Sequence, residues 1–228
     1  MKKKLLMAII PFFLSGHQVI SQSAFVDAQM SDFMGQVNKN HQINPTYAQI
    51  EGSPYYNDEF IEGEIYFDEK YRLARVPMRI NLYNGEIEFK HNNMVMAVAN
   101  PARINKIILD KDKFVFLGNK KKGEVSGLLK MWNPEKPAIV TQMEIEYKPK
   151  EKPRAFEDAK PDRFDRLTDK HYLMTKNDEL VTINSVKKLI KELGDHQDEL
   201  SSFSKSEKIS SGNVKELAQL LDYYHSLQ

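Results

Sequence analysis

No cysteine occurs anywhere in the 228 residues. That absence excludes disulfide staples, thiolate metal sites and a cysteine nucleophile. It also closes the lipoprotein route, which needs a cysteine to lipidate at the new N-terminus. Other chemistry-bearing patterns are missing too. Phosphate cradles of the GxGxxG or GxxxxGK[ST] type do not appear, nor does HExxH or a histidine pair at i, i+4 on a helix. Serines are plentiful, but no GxSxG elbow is present. An excess of charge of one sign is lacking as well, since 33 basic residues face 32 acidic ones. After the N-terminus no second long apolar run follows, so no later segment reads as a membrane span.

What is there begins with MKKKLLMAIIPFFLSGHQVISQSAF. Lys2, Lys3 and Lys4 make a positive n-region, and Leu5 to Leu14 make a short apolar core interrupted by Pro11. Val19 and Ser21 stand three and one residues before a cut at Gln22. This is the pattern of a cleavable secretory signal over residues 1–21, and the apolar run is short for a bilayer crossing. An uncleaved N-terminal anchor is the alternative. Cleavage removes three lysines and no acid, turning the formal charge from +1 to −2. Such a chain carries no global basic signal for nucleic acid or an anionic membrane. The expectation is a globular protein of the periplasm or the extracellular space.

Residues 22–50 show one weak helical face (Phe25, Val26, Met30, Phe33, Met34) and read as an N-terminal arm or short helix. Residues 51–148 read as an antiparallel β region. FIEGEIYF (60–67), YRLARVPMRINLY (71–83), EIEFK (86–90), MVMAVA (94–99), INKIIL (104–109), KFVFLG (113–118) and IVTQMEIEYK (139–148) are its strands. The turns between the first six are too short for parallel crossovers. Residues 123–130 are ambiguous. Residues 149–170, rich in proline and mixed charge, read as a surface connector. In 171–228, HYLM and LVTI form a last hairpin before three short helices. Asn184 or Ser185 caps the first, Gly194 ends it, and Leu200 with Phe203 mark the second. Asn213 caps a third with the stripe Val214, Leu217, Leu220, Leu221 and Tyr224. The predicted class is α+β: an antiparallel β-meander or partly open barrel-like sheet, followed by a short C-terminal helical region.

The segment VPMRINLYNGEIEFK (76–90) is the sharpest local signal. A two-residue turn at Asn84-Gly85 would set Ile80 opposite Phe89 and Arg79 opposite Lys90. Met78, Ile80, Leu82, Ile87 and Phe89 then face the core, leaving Arg79, Asn81, Tyr83, Glu86, Glu88 and Lys90 on a solvated face. Acid pairs such as Glu62/Glu64 and Glu86/Glu88 share a strand face, which usually marks the wet side rather than a catalytic pair. Asp195, His196, Asp198 and Glu199 cluster near a helix start, where acids commonly offset the helix dipole. Asp110 and Asp112 lack the glycine and distal glutamate of a calcium loop. No catalytic, cofactor or metal residue is assigned.

Aromatic residues are the remaining lead. GSPYYNDEF concentrates Tyr55, Tyr56 and Phe60 beside Pro54, and Tyr83 and the single tryptophan, Trp132, join them as ligand-contact candidates. Such residues make either a ligand platform or plugs at the end of a sheet. The segments GSPYYNDEF, VPMRINLYNGEIEFK, AFEDAKPDRF with HYLM, and DHQDELSSF with KELAQLLDYYHSL together resemble an exported, signal-peptide-bearing family of Bacteroidota of uncharacterised function. The resemblance implies an envelope location and transfers no catalytic residue. Two functions follow as expectations. One is a non-enzymatic envelope interaction or scaffold module whose partner is another envelope protein. The other is a periplasmic small-ligand or glycan-binding protein using Tyr55, Tyr56, Phe60, Tyr83 and Trp132 on one concave surface.

Overall fold

Short alternating segments separated by turn residues make strands the default in the first half of this chain, and a single large sheet results. The protein is seen in a computed structural model that describes residues 46–67, 72–91, 94–98, 103–118, 125, 127–150 and 160–228. The expected signal peptide, the arm up to residue 45 and residues 151–159 of the connector lie outside the described residues. Twelve strands are described: β1 (Ile61–Tyr66), β2 (Arg72–Ile80), β3 (Ile87–His91), β4 (Met94–Ala97), β5 (Lys106–Leu109), β6 (Asp112–Leu117), β7 (Gly127–Met131), β8 (Ala138–Gln142), β9 (Ile145–Lys148), β10 (Arg163–Arg166), β11 (Lys170–Met174) and β12 (Leu180–Thr182). Three helices follow, α1 (Val186–Leu193), α2 (Gln197–Ser206) and α3 (Val214–Ser226).

Ten strands form one open antiparallel sheet in the order β12-β11-β8-β7-β6-β5-β1-β2-β3-β4, and β9 pairs with β10 in a second, two-stranded sheet. The architecture is α+β, as the sequence predicts. Cross-strand partners share a face, so the register defines an inner row: Leu73, Ile65, Ile107, Phe114, Lys130, Thr141 and His171. Leu73, Ile65, Ile107 and Phe114 are fully buried together with Met78, Ile80, Ile87 and Phe89. Met143, just past β8, belongs to the same cluster although four strands separate β8 from β2. The sheet therefore curls over its inner face. Gly63 permits tight packing within it, because a Cβ there would stand 2.7 Å from the Ile108 carbonyl oxygen.

Further along the same face, Ile139 and Leu173 carry the helices. Ser185 caps α1 by accepting from the Lys188 N–H (3.1 Å), and Gly194 ends it at φ +83°. Asn213 caps α3 through the Lys215 N–H (3.1 Å), and Leu217, Leu220, Leu221 and Tyr224 are buried as the stripe requires. These helices are too short to persist alone, so burial against the sheet supplies their stability.

Several expectations need correction. IVTQMEIEYK is not one strand: it breaks at Met143–Glu144 into β8 and β9, which belong to different sheets. The connector contains β10, and the ambiguous stretch near 127 is β7. The β2–β3 hairpin pairs Arg79 with Glu88 and Ile80 with Ile87, two residues away from the expected register. The cause is local. Asn81 Oδ1 accepts from the N–H groups of Tyr83 (3.0 Å) and Asn84 (3.3 Å), and the Gly85 N–H donates to the Asn81 carbonyl (2.9 Å), which builds a longer turn. A shift of two preserves the faces, so Met78, Ile80, Ile87 and Phe89 still point inward. The opposite face is not solvated throughout, because Asn81 and Glu88 are fully buried.

Candidate functional site

The segment GSPYYNDEF lies across the end of β2. Tyr55 bridges to Asn81, the Tyr56 N–H donates to Ile80 O (2.8 Å), and the Leu82 N–H donates to Pro54 O (2.8 Å). Gly52 is held against β10, where an added Cβ would lie 2.6 Å from Phe164 O. Successive side chains of an extended chain point to opposite faces. Tyr55 and Tyr56 consequently part company on the two sides of the sheet.

On the outer side, Arg79 Nε donates to the fully buried Glu88 carboxylate at 2.7 Å. One terminal nitrogen donates to Tyr55 Oη (2.6 Å) and the other to Asp58 O (3.2 Å). The guanidinium also lies 3.6 Å from the Tyr55 ring centre and 4.4 Å from that of Phe60. Burial first, then the Glu88 charge, push the Tyr55 hydroxyl up to about 12. A recess of about 330 Å³ opens beside this cluster, lined by Tyr47, Ser53, Asp58 and Arg79 among others. Among the described residues its one cation, Arg79, is already committed to Glu88.

Inside the curl, Lys130 sits at the seam between the sheet core and the helix-covered region. It pairs with Asp112 (2.6 Å) and donates to Tyr56 Oη (2.9 Å), while Tyr56 in turn donates to Asp112. Burial opposes the charge on Asp112, yet the hydrogen bonds from Lys130 and Tyr56 outweigh it and hold the carboxyl below its usual value. Burial likewise opposes the Lys130 charge, and the bonds to Asp112 and Tyr56 raise it regardless. Burial and the Asp112 bond raise Tyr56. Trp132 lies 4.5 Å from Lys130 Nζ and donates its indole N–H to Thr141 Oγ1 (2.7 Å).

Thr141 Oγ1 is 2.9 Å from His171 Nδ1. With Trp132 as donor to the threonine oxygen, the hydroxyl proton is free for the ring nitrogen, which favours a neutral imidazole. Burial pushes the His171 pKa down, against the pull of Asp169. The folded pKa is thus below the unfolded one, so the unfolded chain takes up protons first as pH falls. This contribution to stability is complete above about pH 6.5 and declines as pH drops through that value. Urea midpoints measured between pH 7.5 and 5 should fall for the native chain and fall less for His171→Gln. An equal slope in both would remove His171 from the account.

A larger recess, of about 560 Å³, opens where the chain leaves β8 for β9. One wall is the β2–β3 turn from Ile80 to Tyr83, and the other is Gln142 to Tyr147. Phe164 anchors this region, with ring centres of Tyr47 and Tyr83 each 5.2 Å away and Tyr147 5.7 Å away. Tyr83, Met94 and Leu167 are the large apolar side chains exposed among the described residues, and Tyr83 and Leu167 both line this recess.

The five aromatics named from sequence therefore do not share one surface. Tyr55 and Phe60 cover Arg79, Tyr56 and Trp132 flank Lys130, and Tyr83 stands at the recess. Sequence reasoning missed Tyr47, Tyr147, Phe164 and Leu167, which complete the recess and its support. Only Tyr147 carried a visible signal, as the third residue of the alternating run IEYK. Comparison of the chain with protein-family models, with curated proteins and with solved structures finds no match.

Proposed function

We propose that this is an exported, non-enzymatic protein of the cell envelope that acts as an interaction module, engaging another envelope protein through the recess beside β9. The observation that carries the reading is the gathering of Tyr83 and Leu167, two of the three exposed large apolar side chains among the described residues, on that one surface. Exposed apolar area collected in a polar-rimmed concavity marks an interaction site more often than scattered residues do. The clusters around Arg79 and Lys130 favour the non-enzymatic side of the proposal. General acid–base groups work best with pKa values near the operating pH. Here Tyr55 and Tyr56 are raised, Lys130 is raised and Asp112 is lowered, all away from neutrality. Export rests on the lysine-led apolar N-terminus, with Gln22 as the expected first residue of the mature chain.

A photoreactive phenylalanine derivative at position 83 tests the recess in intact cells. Crosslinking to a discrete envelope protein is expected at position 83, lost when Leu167→Asp is added, and absent when the probe replaces the exposed Glu207, which follows α2 and does not line the recess. Equal crosslinking at both positions, or none in the envelope fraction, would overturn the proposal.

A further inference from the structure

Among the described residues, β9 has a hydrogen-bonding partner on one edge only. Its register with β10 is Lys148 with Arg163, Tyr147 with Phe164, Glu146 with Asp165 and Ile145 with Arg166. Along a strand, the backbone groups of successive residues turn to opposite edges. The Phe164 N–H donates to Glu51 O at 2.8 Å, so Phe164 is turned away from β9. Arg163 and Asp165 must then bond to Lys148 and Glu146. The next contact keeps the alternation, with the Leu167 N–H donating to Glu144 O at 3.0 Å. Ile145 and Tyr147 therefore direct their N–H and C=O groups to the other edge, where no described residue bonds to them.

That edge is a wall of the 560 Å³ recess, for Ile145 and Tyr147 both line it, together with Glu144 and Glu146. Three consecutive residues of β9, Ile145 to Tyr147, line this one concavity, as a strand does only when presented edge-on, since its faces alternate. An unpaired edge is a template for another strand. Two donor–acceptor sets two residues apart, roughly 7 Å at strand spacing, match the repeat of another extended main chain. Leu82, Leu128 and Met143 line the same space, and among the described residues its charged lining groups are the carboxylates of Glu144, which pairs with Lys170 at 3.1 Å, and of the exposed Glu146, 3.9 Å from Lys148 Nζ.

We infer that the recess takes an extended peptide segment of a partner protein, added as a strand to the free edge of β9, with an apolar side chain in the recess and a basic one toward Glu144 and Glu146. This rests on the recess being the interaction surface and adds the chemistry of what enters it. In strand addition the main-chain bonds supply affinity and the alternating side chains supply specificity. The curl of the large sheet contributes by holding the β2–β3 turn across from β9, so that Tyr83 flanks the incoming strand.

A phage-displayed library of random dodecapeptides, selected on the full chain, is the probe. Enriched sequences should alternate apolar residues with lysine or arginine, and their binding should weaken at least tenfold in Tyr83→Ala. Titration of a synthetic winner into isotope-labelled protein should slow amide exchange at Ile145 and Tyr147 at least tenfold. Glu146 and Lys148, already bonded to β10, should change little. N-methylation of alternate peptide amides should abolish binding. Peptides that bind without protecting Ile145 and Tyr147 overturn strand addition while leaving the recess as a binding surface. Failure to enrich any peptide sensitive to Tyr83→Ala overturns the inference, and the position-83 crosslink then decides the wider reading separately. Concentration-dependent protection of the same two amides without peptide would assign the edge to a second copy of this chain and overturn it too.

Discussion

Arg79→Met should destabilise the protein by about 3–5 kcal/mol, the range for removing one partner of a buried ion pair. Glu88 has no exposed surface, and its strongest contact is the 2.7 Å bond from Arg79 Nε. Without the guanidinium, a carboxylate remains buried with a 3.4 Å bond from Asn81 and the neighbouring Tyr55 hydroxyl. The substitution also removes the cation from the faces of Tyr55 and Phe60, whose attraction is worth about 0.5–1 kcal/mol at exposed sites and more when desolvated. Arg79→Lys should fall between, because one ammonium cannot reach Glu88, Tyr55 and the Asp58 carbonyl in the planar geometry a guanidinium allows. The discriminating variant is the double substitution Arg79→Met with Glu88→Leu. It takes both charges away together and should recover most of the loss, since replacing a whole buried pair by apolar groups is often neutral. Urea unfolding of the four proteins measures this. A double variant no more stable than Arg79→Met would mean that shape, not the stranded charge, governs the site.

That ion pair also shows where reading the sequence stops. The alternation in VPMRINLYNGEIEFK assigns the inward face correctly because burial of Ile80 and Phe89 is demanded by any even register. A shift of two residues leaves that face unchanged, so the pattern alone cannot choose between Arg79 opposite Lys90 and Arg79 opposite Glu88. The choice falls to Asn81, whose side chain captures the Tyr83 and Asn84 amides and lengthens the turn. Burial of Glu88 was hidden for another reason. Charged residues on one strand face read as solvated, and the cover over them comes from Tyr55 and Phe60, outside the hairpin. The helices were the opposite case. Ser185, Gly194 and the Leu217–Tyr224 stripe are local signals, and local capping and periodicity decide them. β10 carried almost none, with Phe164 the one apolar residue among Arg163, Asp165 and Arg166; pairing with β9 and packing against Tyr47, Tyr83 and Tyr147 make it a strand. The recess inherits that blindness, because its walls come from segments that meet only when the large sheet curls.

Asn133→Leu should cost about 2–4 kcal/mol, combining lost hydrogen bonds with a stranded buried donor. Asn133 is 1% exposed and joins the β7–β8 connection to α3. Its Oδ1 accepts from the Ile139 N–H (2.9 Å), and its Nδ2 donates to Ala218 O (2.9 Å) and Asp222 Oδ1 (2.8 Å). Leucine satisfies none of these and leaves the buried Ile139 N–H without its acceptor. Asn133→Asp separates the two halves of the role. It keeps the acceptor for Ile139 but turns a carboxylate toward the Ala218 carbonyl and the Asp222 side chain. Burial and the adjacent acid must raise the introduced carboxyl's pKa above its unfolded value of about 3.9. The folded state then holds a proton that the unfolded state has released, so this variant keeps its stability below that value and loses it as pH rises through the raised folded pKa. Asn133→Asp should accordingly approach the native chain near pH 4 and fall away toward pH 7, whereas Asn133→Leu stays destabilised at both. The single tryptophan, Trp132, is next to the substitution and packs on the helix cluster, so its fluorescence reports the undocking of α3 directly. A pH-independent deficit in Asn133→Asp would show that the amide's donors are not what holds α3 to the sheet.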